Sequence, residues 1–192
     1  MTPNERYRQV AILHMQCLDR GFLATLGQDF LALMYEAIDQ ADDSLLITEE
    51  CNGEIAGFIT GGAGMGAIYK RMLRSPLRLG WALAPALISP AKVRRILEIL
   101  RYSSNAGLPE GLPDAELLSL AVAPQWRGKS VADRLYAALV DEFSRRGVEA
   151  FRIIVGEALA PAHRFYQRMG AQISSEIEVH GGEKSMVYVH RL

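Results

Sequence analysis

At 192 residues, 49% of them hydrophobic, the chain is long enough for one globular domain with a sizeable core. A formal net charge of −1 gives no overall pull toward nucleic acid, and two cysteines, Cys17 and Cys51, cannot build a disulfide framework. Residues 1–9 are polar and no stretch reaches the roughly 20 apolar residues that a membrane span needs, so a single soluble cytoplasmic domain over 1–192 is expected.

In chain order, residues 5–19 have helical spacing, with Val10, Leu13, Cys17 and Leu18 inward and Gly21 as the stop. A second helix is expected over 28–40, its apolar stripe formed by Phe30, Leu31, Met34, Ala37 and Ile38. Apolar runs at 45–48 and 54–60 flank Asn52-Gly53. That pair suits the positive φ angles of a type I′ turn and so predicts a hairpin. Glycines at 61, 62, 64 and 66 admit two readings, a flexible hinge or a phosphate loop. Their spacing is not Gly-x-Gly-x-x-Gly, and no acidic residue follows at the expected distance.

Residues 67–102 read as helical, broken at Pro76, Pro85 and Pro90. Between 64 and 108 there are eight bases (Lys70, Arg71, Arg74, Arg78, Lys92, Arg94, Arg95, Arg101) and one acid (Glu98), a net of +7. The run 77–88 between the basic clusters is apolar apart from Arg78 and carries Trp81. Three readings stay open: a helical lid with solvated arginines, a pocket for a phosphorylated or nucleotide-linked acceptor, and contact with anionic lipid.

The central stretch is 115–132. Residues 115–122 form an apolar run of strand length. Alternation puts Glu116, Leu118, Leu120 and Val122 on one face and Ala115, Leu117, Ser119 and Ala121 on the other. Pro124 ends the ladder. A Gly-containing turn, Gln125 to Ser130, feeds an amphipathic helix marked by Val131, Leu135, Ala138, Leu139 and Phe143, with Gly147 as an αL stop. Free amides at such a helix start, with the positive end of its dipole, suit phosphate or pyrophosphate. Ser130 is small enough to cap that helix. A strand over 148–155 follows; joined to 115–122 by a helix, it should lie parallel to it with a right-handed crossover. Pro161 opens a last helix carrying Ala162, Phe165, Tyr166 and Met169, stopped at Gly170. Residues 172–180 and 184–190 form a terminal hairpin through Gly181-Gly182.

Two stretches carry a family resemblance. Strand, then Gln125-x-x-Gly128-x-Ser130, then helix resembles the acyl-CoA motif of the GNAT superfamily, (Gln/Arg)-x-x-Gly-x-(Gly/Ala), with Ser130 in the last position. Residues 162–171, Ala-His-Arg-Phe-Tyr-Gln-Arg-Met-Gly-Ala, are similar to the Ala-x-x-x-(Phe/Tyr)-Tyr-x-x-x-Gly-Phe signature near the GNAT C-terminus, with Ala171 where Phe is commoner. The resemblance covers about 10–62 and 112–192. It implies an α/β fold whose mixed, mainly antiparallel sheet is flanked by helices, with a helical insertion of about 64–112 between the third and fourth family strands. Family members usually begin with a further strand, and residues 1–9 offer no convincing one.

The same resemblance implies acetyl-CoA as co-substrate, no metal, and N-acetyl transfer to a primary amine by direct attack. It puts the pantetheine arm along Leu120, Ala121 and Val122, with the Leu120 N–H facing the thioester carbonyl. The pyrophosphate would lie on the amides of Arg127, Gly128, Lys129, Ser130, Val131 and Ala132, beside Gln125. Leu159 stands where the family often has a pantetheine-contacting Asn, and Ala162 and Phe165 line the same arm. Tyr166, ordinarily protonated at neutral pH, is the candidate acid for the leaving thiolate, against a purely packing role. Glu116 is the candidate base, against an exposed glutamate at a strand end. His163 either lines the groove or is an ordinary surface histidine.

Nothing else competes strongly. The four histidines have no metal spacing, and no Gly-x-Ser-x-Gly elbow is present. The segment 21–31 and the basic insertion are similar to GNAT members of surface-sugar biosynthesis, which points to a small-molecule acceptor, an amino sugar or its nucleotide conjugate. The alternatives are a longer-chain acyltransferase and a CoA-sensing module without catalysis. Nucleic acid is not an expected partner; peripheral membrane contact through the insertion stays one of the three open readings.

Overall fold

The structure is a computed structural model that describes residues 2–18, 21–87, 89, 92–94, 96, 109, 111–179 and 183–192. The chain begins with helix α1 (Pro3–Cys17), started by a reciprocal cap in which Thr2 and Glu5 satisfy each other's free amides. No edge strand therefore precedes the helices within 2–17. Its inner face is Tyr7, Val10, Ala11, Leu13 and His14, so a histidine enters the core where the apolar spacing names only aliphatic residues and Cys17. A short 3₁₀ turn (Phe22–Leu26) leads to α2 (Gln28–Asp39).

The hairpin β1 (Ser44–Cys51) and β2 (Glu54–Gly62) turns at Asn52 and Gly53, both with positive φ, as the Asn-Gly signal predicts. The glycine cluster is neither hinge nor phosphate loop. Gly61 and Gly62 are strand residues, and a Cβ on Gly61 would lie 2.6 Å from the Phe143 ring; the bare backbone lets the next long helix pack closely. Gly64 caps α3 (Met65–Met72).

Helix α4 (Pro76–Leu87) corrects a second expectation. Pro76 opens it, but Pro85 lies inside it, near the end, where only the bond to the Trp81 carbonyl is lost. The expected break at Pro90, all of 97–108 and the Gly181-Gly182 turn lie outside the described residues.

Strand β3 (Glu116–Val122), a 3₁₀ turn (Pro124–Trp126), α5 (Val131–Arg145), β4 (Ala150–Gly156), α6 (Ala160–Arg168) and the hairpin β5 (Gln172–Val179) with β6 (Glu183–Arg191) complete the chain. The strand expected from 148 begins at Ala150. Residues 147 and 148 are used to close α5, with Gly147 N–H on the Ser144 carbonyl and Val148 N–H on Phe143, each at 3.0 Å.

The sheet runs β1-β2-β3-β4-β6-β5, and only β3 and β4 are parallel. One core lies between the sheet and α1, α2, α3 and α4, built on Val10, Phe30, Leu31, Tyr35 and Phe58. The other lies under α5 and α6, built on Leu135, Leu139, Phe143, Phe151 and Ile153.

Candidate active site

The β3–β4 pair is zipped at one end only. Glu116 pairs with Arg152 and Leu117 with Ile153, and the ladder stops there. Against β2, Thr60 faces Ser119 but Gly61 faces Leu117, so Leu118 is an extra residue on β3, a bulge. The bulge overturns the strict alternation read from the sequence. Leu118 and Ala121 pack on the α1–α2 core, whereas Leu117, Leu120 and Val122 pack on the α5–α6 core. Glu116, two residues before Leu118, shares the α1–α2 face and not the face of Leu120.

Beyond the bulge, Ala123 N–H donates to the Ala56 carbonyl at 2.9 Å. The antiparallel alternation then turns the main-chain groups of Leu120 and Val122 away from β2, toward the unzipped edge. The Val122 carbonyl is already engaged, accepting from Arg127 Nε at 3.2 Å and from Cys17 Sγ at 3.5 Å. The Leu120 and Val122 amides are aimed at the opening.

The next segment presents donors at the same end. Arg127 N–H closes the 3₁₀ turn on the Pro124 carbonyl. Gly128 and Ser130 then take φ of 72° and 57°, which swings the chain into α5. Arg134 N–H makes the first helical bond, to Ser130, so the amides of Val131 to Asp133 have no intrahelical acceptor. Residues 127–130 are exposed, and Lys129 Nζ lies 4.4 Å above the Trp126 ring.

Two details differ from expectation. Ser130 makes no side-chain cap, because its left-handed backbone carries the turn instead. The Arg127 side chain folds back on β3, with its amide taken by Pro124, so the free run starts at Gly128. Arg134 clamps the loop by donating to the Lys129 carbonyl at 3.1 Å while paired with Glu49. Asp133 in the first turn of α5 is paired with Arg168 of α6 at 2.6 Å.

Tyr166 is 8% exposed and stands among Tyr136 and Phe165, in the core that carries Leu117 and, at its edge, Leu120. Burial pushes its phenol well above the ordinary range, so it holds its proton. Among the described residues its hydroxyl has no hydrogen-bond partner. Phe165 meets Tyr136 edge-on at 5.8 Å, Ala162 is half-buried and Leu159 is 44% exposed. His163 is a clamp and not a free surface group: one ring nitrogen meets Tyr188 Oη at 2.8 Å, the other the Gly156 carbonyl at 3.1 Å.

Glu116 is no frayed strand end. Its Oε2 takes two bonds from Arg152, at 3.0 and 2.9 Å, and Arg152 is 2% exposed and also donates to the Pro113 carbonyl at 2.6 Å. Burial raises the Glu116 pKa, with the Arg152 charge working against it. Only a look across the sheet register could have found Arg152, since it lies 36 residues away and reads as one charge in an apolar strand.

A phosphate-bearing thioester fits this arrangement: two strand amides face an opening that ends at a helix start rich in free N–H groups. The comparisons agree. A family model described as the acetyltransferase (GNAT) family matches residues 15–171. The chain belongs to the GNAT family.

Solved structures share the fold. A GNAT-family acetyltransferase, described as putative, from Desulfovibrio desulfuricans is 17% identical with a TM-score of 0.57, covering 94% of this chain and 91% of that one. The PaiA N-acetyltransferase of Thermoplasma acidophilum, solved with coenzyme A, is 11% identical at TM-score 0.58, covering 98% and 94%. A Bacillus anthracis protein described as a putative streptothricin acetyltransferase, solved with acetyl-CoA, is 12% identical at 0.53, covering 82% and 68%. No curated protein matches the sequence. As a GNAT member this chain is an acyl-CoA-dependent N-acetyltransferase with acetyl-CoA as co-substrate. Among the described residues no helix is long and apolar enough to cross a membrane, and no cluster of His, Cys, Asp or Glu could hold a metal ion.

Proposed function

We propose that this GNAT protein acetylates the primary amine of a small molecule, by direct attack and without an acyl-enzyme. The observation that carries the reading is the unzipped β3 edge at Leu120–Val122 leading straight into the amides after Gly128. Acetyl-CoA supplies the activated acyl group. The amides of Gly128, Lys129, Ser130, Val131 and Ala132 hold the diphosphate, with Gln125 alongside and Lys129 held near them by Trp126. The Leu120 and Val122 amides orient the arm and polarise the acyl carbonyl. Tyr166, protonated and on the Leu120 side of the sheet, gives its proton to the leaving sulfur. Glu116 takes the proton of the attacking amine from the opposite side, through Oε1 and an intervening water, since Oε2 is committed to Arg152.

The acceptor is an amino sugar or its nucleotide conjugate in this reading. The support is the 21–31 segment and the basic insertion, which is tied to it where Lys92 Nζ donates to the Thr25 carbonyl at 2.8 Å.

Mass spectrometry of the protein with acetyl-CoA and a panel of amines and amino-sugar nucleotides tests this. An acetylated amine with release of CoA is expected, and faster turnover with acetyl-CoA than with decanoyl-CoA. CoA binding with no amine acetylated across the panel overturns catalysis and leaves a sensor.

A further inference from the structure

Helix α4 is apolar on both sides. Its inner face, Leu79, Ala82, Leu83 and Ala86, packs on the α1–α2 core. Its outer face bears Leu77, Trp81 and Ala84, one turn apart, and Leu77 and Trp81 are 82% and 80% exposed. Every other exposed large hydrophobic residue among those described is at most 56% exposed, and the one at 56% is Leu73, in the turn just before α4. A helix apolar all round is normally covered by something.

The surrounding charge says what. Lys70 and Arg71 end α3, Arg74 follows Leu73 in the turn, and Arg78 is the single charge on α4. The acids that share a groove with Leu77 and Trp81, Asp29 and Glu36, belong to α2, and Glu36 is paired with Arg78. A two-fold contact with a second copy would bring the Lys70 and Arg74 charges of both copies together, whereas an anionic surface attracts them. An indole flanked by leucines beside lysine and arginine is the composition of a helix lying in a bilayer interface.

We propose that the outer face of α4 docks this protein on an anionic lipid bilayer, with Leu77 and Trp81 inserted at headgroup depth and Lys70, Arg71 and Arg74 over the charged lipid. The interaction is peripheral and reversible.

The test is co-flotation of the full chain with vesicles of phosphatidylcholine alone or with about 30 mol% phosphatidylserine. Retention on the anionic vesicles alone is expected, with a blue shift in emission. Trp81 is the reporter, because the second tryptophan, Trp126, already packs against both cores. Leu77→Ser with Trp81→Ser should weaken binding at least roughly tenfold, and raising salt from about 0.1 M to about 1 M, where the Debye length falls to about 3 Å, should weaken it too. Both side chains are exposed, so the double variant should keep the wild-type melting temperature. Absence of the wild-type chain from anionic vesicles overturns the proposal, as does undiminished binding by the double variant. A concentration-dependent dimer that the double variant abolishes, without vesicle binding, overturns it in favour of a second copy.

Discussion

The two ends of β3 are built on different principles. At the start, side chains hold it: Glu116 and Arg152 pair across the ladder in a nearly dry setting, and Arg152 reaches on to the Pro113 carbonyl. At the far end the ladder to β4 is missing, and the strand is positioned from the sides. Ser119 meets Thr60 at 2.6 Å and hydrogen-bonds Tyr35, which in turn meets His14 at 2.6 Å. A rigid closed end and a buttressed open end let one strand anchor the sheet and still offer its amides to a ligand.

The closed end gives the largest expected effect. Arg152→Leu strands the half-buried Glu116 carboxylate without its cation, and a broken buried pair costs about 3–5 kcal/mol. Adding Glu116→Leu should recover most of that, since two apolar groups leave no charge uncompensated. Urea denaturation of both variants checks this. A silent Arg152→Leu would mean that the ladder, and not the ion pair, holds the closed end.

The buttress of the open end should fail in acid. Burial holds the His14 pKa down at about 4, against about 6.5 unfolded. Above 6.5 both states are neutral and the stability is complete. As pH falls from 6.5 toward 4 the unfolded chain takes up the proton and the folded one does not, so up to about 3 kcal/mol is lost. His14→Gln removes this window. Wild type should lose more stability than the variant between pH 7.5 and 4.5, and equal losses would show that His14 does not titrate as a buried group.

Chemistry at the opening is tested by Tyr166→Phe. Loss of a positioned general acid typically costs about 100-fold in kcat, with KM for acetyl-CoA unchanged because the diphosphate contacts are main-chain. An unchanged kcat would return Tyr166 to a packing role.

What could be read from the sequence follows the same division. The turn after Pro124, the Asn52-Gly53 hairpin and the Gly147 stop are local: a backbone conformation writes itself in two or three neighbouring residues. The β3 bulge is not local, because it depends on β2 losing one residue of register between Thr60 and Gly61, and so the faces of Glu116 and Leu120 could not be separated beforehand. Arg152 and His14 escaped for a related reason. Each is one polar residue in an apolar stretch, and its partner is supplied by another element. Pro85 shows the converse, a strong local breaker overridden by packing of α4 through Ala82 and Ala86.

Ser130 tests the smallest effect and the most local one. Its φ of 57° and ψ of 18° are left-handed, a conformation that costs a residue with a Cβ about 1–2 kcal/mol. The family pattern puts glycine or alanine there, and of these only glycine relieves the strain. Ser130→Gly loses nothing from a cap, since the hydroxyl makes none. It does add freedom to the unfolded chain, worth about 0.4–1 kcal/mol against the folded state. The difference leaves a net stabilisation of about 0.5–1 kcal/mol, with KM for acetyl-CoA unaltered because the amides keep their places. Ser130→Val has the opposite expectation: a β-branched side chain tolerates the left-handed region worst, so the turn should shift and KM should rise together with a loss of stability. If glycine and valine at 130 behaved alike in both measurements, the turn would not be the element that aims the free amides, and the open end of β3 would have to hold its ligand by other means.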